Sequence, residues 1–324
     1  MNQIAVIGCG DWGKNSVKTL ARLHKLGALV DHPTPDKIAL ANQYNLKISS
    51  LEEVLASPLI KGCVIVTPTA THFPLAEACL KVGKHVFLEK PFTANVLQAE
   101  KLVSLAEKEH LSLMVGHLLR YHPAFLKVVE CVQQGLVGSV ITIESFRKNL
   151  GKIFPKEGIL WDMGPHDLSM ILTLMGKNPK KILAVGQSCF VEPYLDICSL
   201  YLDYGSIKTS SHLSRAHFQK EQRLVVTGEK GTLVFDDTKP WGEKVVFYKT
   251  YAEKKDGSFI LHKDLQGTAL PLSPAEPLQL ELEHFVQAVE KGTKPLTDGH
   301  EALQVIKILS AAETSLNQGM WEKI

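Results

Sequence analysis

Three polar side chains in this chain have the types and spacings that proton transfer at an alcohol carbon requires. Lys90 lies in a Glu-Lys-Pro triplet, whereas Asp162 and His166 lie four residues apart in the segment WDMGPHDLSM. An imidazole titrates near neutral pH, so His166 is a candidate general base. Lys90 could place an ammonium against a developing oxyanion. Asp162 stands one turn before His166 if the segment is helical, so it could orient the ring or bind a hydroxyl.

A glycine-rich loop near the N-terminus indicates a dinucleotide site. The segment IAVIGCGDWGKN places Gly8, Gly10 and Gly13 directly after an apolar strand and at the start of a helix. In this context glycines permit a tight turn, a close approach of backbone to a pyrophosphate and close helix–strand packing. Asp31 follows the second predicted strand, where a carboxylate binds the ribose hydroxyls, and Asp36 is a rival for that role. Because no Arg or Lys directly follows Asp31, we predict NAD rather than NADP.

The elements that must position these residues fall into two patterns. Up to about residue 118, short apolar runs alternate with amphipathic helical segments, which predicts a doubly wound parallel sheet. Beyond residue 120, strand-like runs follow one another through glycine-containing turns, which predicts a mostly antiparallel sheet. The strands predicted for the first pattern are 4–7, 28–30, 64–66, 85–88 and 112–115.

The predicted fold class is therefore α/β. An N-terminal Rossmann domain over residues 1–120 is expected to bind NAD(P). A C-terminal α+β domain over residues 121–324, with an open antiparallel sheet, is expected to bind substrate and to form the oligomer. An open sheet needs its exposed face covered, so we predict a homodimer or homotetramer.

Composition excludes several other classes of protein. The chain has 324 residues, which suits about two domains, and its 36 Lys and Arg nearly balance 34 Asp and Glu. This balance argues against a nucleic-acid partner. We find no signal-peptide pattern and no apolar run of the ~18 residues that a membrane span needs. The six cysteines show no metal-ligand spacing, so we predict no metal site and a cytoplasmic protein.

Three stretches make the chain resemble the Gfo/Idh/MocA oxidoreductases, the family of glucose–fructose oxidoreductase and inositol 2-dehydrogenase. They are VIVTPTATH (64–72), GKHVFLEKPFT (83–93) and WDMGPHDLSM (161–170), and the likeness extends to GHLLRYHPAF and VTGEKGTLVFDD. The resemblance implies an NAD-dependent oxidoreductase that moves a hydride between nicotinamide and a secondary alcohol or ketone of a sugar-type substrate. It also places Lys90, Asp162 and His166 beside the nicotinamide.

A narrower resemblance concerns the substrate. The segments GDWGKN, FRKNLGK and LWDMGPHDLSMIL are similar to the branch of that family encoded with nucleotide-sugar and surface-polysaccharide enzymes. This implies a nucleotide-linked sugar. The alternatives are a free polyol such as inositol, or a non-catalytic dinucleotide sensor on the same fold.

Further candidates complete the predicted site. Arg120 and Tyr121 could reach substrate or hold the domain junction, and a loop over 147–161 could meet a diphosphate through Arg147, Lys148, Lys152 and Lys156. The Lys90–Pro91 bond is a candidate cis peptide. His72 has a plain turn as its alternative, and Trp12 could cover the pyrophosphate or simply pack on the first helix. The predicted cofactor-binding residues are Gly8, Gly10, Asp11, Trp12, Gly13, Asp31, Thr67, Pro68, His72 and Glu89, and the predicted substrate-binding residues are Arg120, Tyr121, Asn149 and Trp161.

Each catalytic candidate also has an ordinary structural interpretation. Lys90 could be a solvated lysine at a strand end, and His166 could be a helix-start histidine bonded to backbone. Asp162 could cap the helix that follows it, which would not exclude a catalytic role.

Overall fold

The computed structural model describes residues 3–151, 153 and 157–324, and the chain divides into two compact units. One unit contains the residues up to Tyr121 together with Glu276–Ile306, and the other contains His122–Ala275 and Lys307–Ile324. The first division falls within one residue of the predicted boundary. The second differs from it, because residues 276–306 group with the N-terminal unit although the sequence placed them in the C-terminal domain.

The helices of the described residues follow the amphipathic segments of the sequence. Asn95 caps one of them by accepting a hydrogen bond from the Gln98 N–H, and Ser50 and Glu53 form the capping box that their spacing predicts. The helices are α1 (Gly13–Arg22), α2 (Pro35–Gln43), α3 (Leu51–Ala56), α4 (His72–Lys81), α5 (Val96–Lys108), α6 (Pro123–Gln133), α7 (Ile159–Met175), α8 (Pro277–Lys291) and α9 (Gly299–Gln318).

The N-terminal unit contains, within the described ranges, a six-stranded sheet whose paired strands are all parallel. The strand order β3-β2-β1-β4-β5-β6 is that of a Rossmann fold, so the predicted doubly wound sheet is confirmed. The strands are β1 (Gln3–Ile7), β2 (Leu26–Val30), β3 (Ile48–Ser49), β4 (Ile60–Ile65), β5 (His85–Leu88) and β6 (Leu113–Val115).

Helix α8 completes the core of the N-terminal unit, although it lies far away in the sequence. Its buried Leu282 and Phe285 belong to the same apolar cluster as Val6 and Phe87 of the parallel sheet. The rings of Phe87 and Phe285 meet edge to face with centroids 5.8 Å apart. An amphipathic helix must bury its apolar stripe, and α8 buries its stripe on this sheet.

The C-terminal unit is built on a nine-stranded sheet, as counted over the described residues, with the order β16-β13-β12-β11-β7-β10-β9-β8-β17. Only β7 and β10 pair in parallel there, so the predicted mostly antiparallel sheet is confirmed. The strands of this unit are β7 (Val140–Leu150), β8 (Lys181–Gln187), β9 (Ile197–Asp203), β10 (Lys208–Ser214), β11 (Ala216–Gly228), β12 (Gly231–Asp236), β13 (Val245–Tyr248), β14 (Tyr251–Lys255), β15 (Ser258–His262), β16 (Thr268–Ala269) and β17 (Glu322–Lys323).

The two faces of this sheet differ in their environment. Helix α7 packs on β7, β9 and β10, where Cys198, Leu200 and Leu202 are buried. The alternate side chains of the same region include the exposed Val185 and Tyr201. Among the helices that the structure describes, none is both long and apolar enough to cross a membrane.

Candidate active site

The glycine loop between β1 and α1 leaves an open space at its middle. A Cβ added to Gly8, whose φ is +95°, would lie 2.5 Å from the carbonyl oxygen of Val66, and one added to Gly13 would lie 2.1 Å from that of Gly8. Both positions therefore require glycine for packing. A Cβ added to Gly10 would meet no atom of the described residues within 4 Å. Gly10 thus faces free space, as expected of a glycine that lets a ligand approach the backbone.

The start of α1 suits an anion. No described side chain caps its first turn, so the positive end of its dipole is left for an anion, although the N–H groups of Lys14 and Asn15 already donate to the carbonyl oxygens of Gly10 and Trp12. Trp12 occupies the position before the helix and is 42% exposed, and Asp11 is exposed beside it.

Asp31 follows β2 directly and lies against the glycine loop. Its Oδ2 accepts hydrogen bonds from the Cys9 N–H at 2.6 Å and from Lys37 Nζ at 2.7 Å, and its Oδ1 accepts one from the His32 N–H. Burial by itself would raise the pKa of Asp31, but these partners outweigh it and hold the pKa below its ordinary value. The rival Asp36 is exposed at the start of α2, so the geometry favours Asp31.

Glu89 connects the glycine loop to the segment that carries Lys90. It follows β5, where its Oε1 accepts from Trp12 Nε1 at 2.5 Å and its Oε2 from the Lys90 N–H at 3.1 Å. Burial raises the pKa of Glu89, and the contacts with Trp12 and Lys90 act in the opposite direction. The Lys90–Pro91 peptide is cis, which confirms that prediction.

The residues of this unit fit a dinucleotide. The open cradle at Gly10, the uncapped start of α1 and the Asp31 carboxylate stand where a pyrophosphate and a ribose are bound in this fold. All three features lie at the carboxyl ends of parallel strands, where doubly wound sheets bind ligands.

His72 is held by two backbone carbonyl groups in the interior, and a role toward the cofactor stays a prediction. Its Nδ1 lies 3.0 Å from the Pro91 carbonyl oxygen, its Nε2 lies 2.8 Å from that of Thr67, and the residue is only 1% exposed. Burial lowers its pKa. His72 therefore braces two loops from the interior, while Thr67 and Pro68 reach the carboxyl end of β4.

In the C-terminal unit, α7 carries Asp162 and His166 one turn apart, and both are partly exposed. Asp162 Oδ2 lies 3.9 Å from Nη2 of Arg215, which is buried at 1% exposure. The Nε of Arg215 lies 3.8 Å from Asp196 Oδ1. This buried guanidinium thus holds the first turn of α7 through Asp162. Lys90, the third catalytic candidate, belongs to the N-terminal unit.

A second arginine fixes the next turn of the same helix. Arg147 on β7 binds Asp167 Oδ1 through Nε at 3.0 Å and Nη2 at 2.7 Å, and Ser211 donates to Oδ2 at 3.2 Å. This corrects the expectation that Arg147 lies in a loop facing a diphosphate, because β7 continues to Leu150.

Lys148 on the same strand pairs with Glu221 at 3.3 Å. Lys152 and Lys156 lie outside the described residues.

Tyr121, for which the sequence left open a contact with substrate or a place at the domain junction, is buried in the core of the N-terminal unit. It is 3% exposed, and its hydroxyl lies 3.1 Å from His284 Nδ1 on α8. Its neighbour Arg120 pairs with Glu301 at 3.2 Å. Both side chains therefore stabilise the N-terminal unit.

The two remaining substrate candidates lie in the C-terminal unit. Trp161 donates from Nε1 to Glu313 Oε1 at 2.7 Å at the start of α7. Asn149 lies near the end of β7 and packs closely on Gly151.

The sequence reasoning missed Lys37, Arg215 and Glu281. No pattern in the sequence around Lys37 or Arg215 indicates a site residue. The partners of these side chains, Asp31 and Asp162, become neighbours only when the chain folds. Glu281 did give one, since it occupies an inward position of the apolar stripe of α8 between Leu278 and Phe285. A lone carboxyl in such a stripe indicates a buried titratable group.

Comparison with known proteins identifies the family. The model of an oxidoreductase family with an NAD-binding Rossmann fold matches residues 2–117, and the model of its C-terminal alpha/beta domain matches residues 130–324. Inositol 2-dehydrogenase of Rhizobium meliloti is 26% identical over 97% of this chain and 96% of its own. UDP-N-acetylglucosamine 3-dehydrogenase of Acidithiobacillus ferrooxidans is 31% identical over 56% of each chain.

Solved structures agree on the fold. A crystal structure of the UDP-N-acetylglucosamine 3-dehydrogenase from Acidithiobacillus ferrooxidans superposes on this chain with a TM-score of 0.84. The two sequences are 23% identical, and the superposition covers 98% of both chains. A putative oxidoreductase of Magnetospirillum magnetotacticum gives a TM-score of 0.80 at 30% identity, over 96% of this chain and 99% of the other. With both halves of the chain matched, this protein belongs to the Gfo/Idh/MocA family of NAD-binding oxidoreductases.

Proposed function

We propose that this enzyme transfers a hydride between nicotinamide and a secondary alcohol or ketone of a nucleotide-linked sugar, with a free polyol such as inositol as the second candidate. The observation that carries the proposal is the dinucleotide cradle at Gly10 in a chain that also carries Lys90, Asp162 and His166. Relatives named for an inositol and for a UDP-linked sugar support the two substrate classes.

The side chains would divide the proton chemistry among them. A bound nicotinamide accepts or supplies the hydride. His166 would take the hydroxyl proton as the carbinol is oxidised and return it in the reverse direction. The Lys90 ammonium would stabilise the charge that develops on the oxygen, and Asp162 would orient His166 or hold a neighbouring hydroxyl. Anchoring of α7 by Arg215 and Arg147 supports this, because a proton acceptor must be held in place.

The decisive test separates chemistry from cofactor binding. Lys90→Ala and His166→Ala should each lower kcat by ~10²–10⁴, the scale of a general acid or base, while NADH binds with nearly the native Kd. Lys101→Ala, on the exposed side of α5, is the matched control and should leave both quantities unchanged. Native turnover in both catalytic variants would remove the proposed roles.

The substrate class can be sorted by thermal shift. A panel of UDP-sugars, inositols and free hexoses is added with NAD(H) present, and a binding ligand raises the Tm by mass action. A shift confined to UDP-sugars supports the nucleotide-linked class, whereas one confined to inositols supports the polyol.

We further propose NAD as the preferred cofactor, a cytoplasmic location and a homodimer or homotetramer. The Asp31 carboxylate supports NAD, because its charge opposes a 2′-phosphate. The apolar side chains exposed on the open sheet face, Val185 and Tyr201, support association through that face. Five of the six cysteines are buried as free thiols, which suits a reducing compartment.

A further inference from the structure

A side-chain hydrogen bond crosses the carboxyl edge of the parallel sheet in the N-terminal unit. Trp12 lies in the glycine loop after β1 and Glu89 follows β5, yet Trp12 Nε1 donates to Glu89 Oε1 at 2.5 Å. Strand β4 stands between β1 and β5 in the sheet. Neighbouring strands lie about 4.8 Å apart, so β1 and β5 stand about 10 Å apart. The two side chains together bridge that distance.

The bridged position is where a sheet of this strand order binds its ligand. In the order β3-β2-β1-β4-β5-β6 the strand order reverses between β1 and β4, and doubly wound sheets bind dinucleotides in the crevice at that point. The glycine loop follows β1 on one side of this crevice, and Thr67 and Pro68 follow β4 on the other. The bond from Trp12 to Glu89 therefore crosses the crevice in which the proposed dinucleotide would lie.

The two ends of this hydrogen bond are held differently. Glu89 is 9% exposed, its Oε2 accepts the Lys90 N–H at 3.1 Å, and a Cβ added to Gly116 would lie 3.0 Å from the same oxygen. Both carboxyl oxygens accept an N–H bond, a pattern that suits an ionised carboxylate. Trp12 is exposed and lies in a loop, where side chains are more mobile. Glu89 is therefore the fixed end of the bond, and Trp12 is the end that can move.

We propose that Trp12 is a positioning residue for the cofactor, whose bond to Glu89 closes a strap over the bound dinucleotide and must open for the dinucleotide to enter or leave. The Trp12–Glu89 strap consists of these two side chains. The inference rests on the proposed cofactor binding and goes beyond it, because it assigns the rate of cofactor exchange to a single hydrogen bond.

The closed Trp12–Glu89 strap leaves room for a ligand at the glycine loop. A Cβ added to Gly10, two residues before Trp12, would meet no atom within 4 Å in the described part of the chain, although the bond to Glu89 is made. A dinucleotide can therefore reach the middle of the loop without breaking the bond. Because the strap can close on the empty and on the filled crevice, breaking it should change the rates of binding and release and leave their ratio nearly unchanged.

The experiment measures both rate constants for NADH. Trp12→Phe keeps an aromatic ring and loses the indole N–H, and Trp321→Phe, at an equally exposed tryptophan of the C-terminal unit, is the matched control. Stopped-flow nicotinamide fluorescence gives kon on mixing with NADH and koff on displacement by excess NAD⁺. Loss of a hydrogen bond to a charged acceptor should raise kon and koff each about 10- to 150-fold in Trp12→Phe, with Kd within about twofold of the wild-type value. Trp321→Phe should keep both wild-type rates.

A second variant tests whether Trp12 acts through Glu89. Glu89→Met keeps the length of the side chain and removes both acceptor oxygens, so it should also speed the exchange of NADH. Adding Trp12→Phe to Glu89→Met should then change the rates little, because a double-mutant cycle detects two residues that act as one unit. An equal factor for Trp12→Phe in both backgrounds overturns the proposal. If Trp12→Phe does not fold, unchanged rates in Glu89→Met overturn it.

Three patterns of rate constants in Trp12→Phe would also overturn the proposal. Unchanged kon and koff would show that the bond does not control exchange. A rise in koff alone would make Trp12 an ordinary contact of the cofactor, and a rise in kon alone would show that the strap closes only on the empty crevice. A wild type that binds no NADH would instead remove the proposed function, on which the strap depends.

Discussion

Gly10→Ala should separate cofactor binding from folding. Within the part of the chain that the structure describes, the added methyl meets no atom within 4 Å, so the fold can accept it. Replacing a glycine at a tolerated conformation reduces the entropy of the unfolded chain, so the free energy of unfolding should be unchanged or higher by about 0.4–1 kcal/mol. The same methyl occupies the space through which a pyrophosphate would reach the loop.

The expected loss of NADH affinity follows from the hydrogen bonds that the added methyl would prevent. Displacing a phosphate from one backbone N–H forfeits a charge-assisted hydrogen bond worth about 1.5–3 kcal/mol, which weakens NADH binding about 10- to 150-fold. The assay is a fluorescence titration with NADH, paired with thermal unfolding of the same sample.

Two further glycines provide the controls. Gly242→Ala also meets open space but lies in the C-terminal unit, so it should preserve both stability and NADH binding. Gly13→Ala would put its Cβ 2.1 Å from the Gly8 carbonyl oxygen, so it should destabilise the protein. Native NADH affinity in Gly10→Ala would refute the assignment of this loop to the cofactor.

Three other perturbations follow from the contacts described. Lys37→Met removes the cation paired with Asp31, while the hydrogen bonds from the Cys9 and His32 N–H groups remain. It should raise the preference for NAD over NADP, measured as a ratio of Kd values, by about tenfold (~1.4 kcal/mol), and an unchanged ratio would contradict this. Arg147→Met strands the buried Asp167 carboxylate and should cost about 3–5 kcal/mol in urea unfolding, whereas a loss below about 1 kcal/mol would count against a buried ion pair. Tyr201→Asp should convert the assembly to monomer in size-exclusion chromatography, and a wild type that is already monomeric at micromolar concentration would exclude an oligomer through the open sheet face.

Local patterns were sufficient to predict the parallel sheet and its glycine loop. An apolar strand, a glycine turn and an amphipathic helix are each specified by neighbouring residues, and β5 was predicted with its observed bounds. Strand β2 begins at Leu26, earlier than predicted, since Gly27 interrupts the apolar pattern. The two-residue edge strand β3 is too short to show any alternation, so no strand was predicted there.

Features that depend on distant partners could not be predicted in this way. The periodicity of α8 predicts a buried face but does not say which sheet buries it. Arg147 looks like a solvated basic residue until the fold brings Asp167 to it. Likewise, Tyr121 lies within the motif GHLLRYHPAF near the domain boundary, and only its burial and its contact with His284 in the folded chain show that it faces the core.

The grouping of residues 276–306 with the N-terminal unit has a consequence for biosynthesis. Domains generally fold as units during synthesis, beginning at the N-terminus. Here the nucleotide-binding half must wait for a helix that the ribosome delivers near the end of translation. Until then the apolar side of its sheet that α8 will cover stays exposed, and a nascent chain in that condition is a natural client for chaperones.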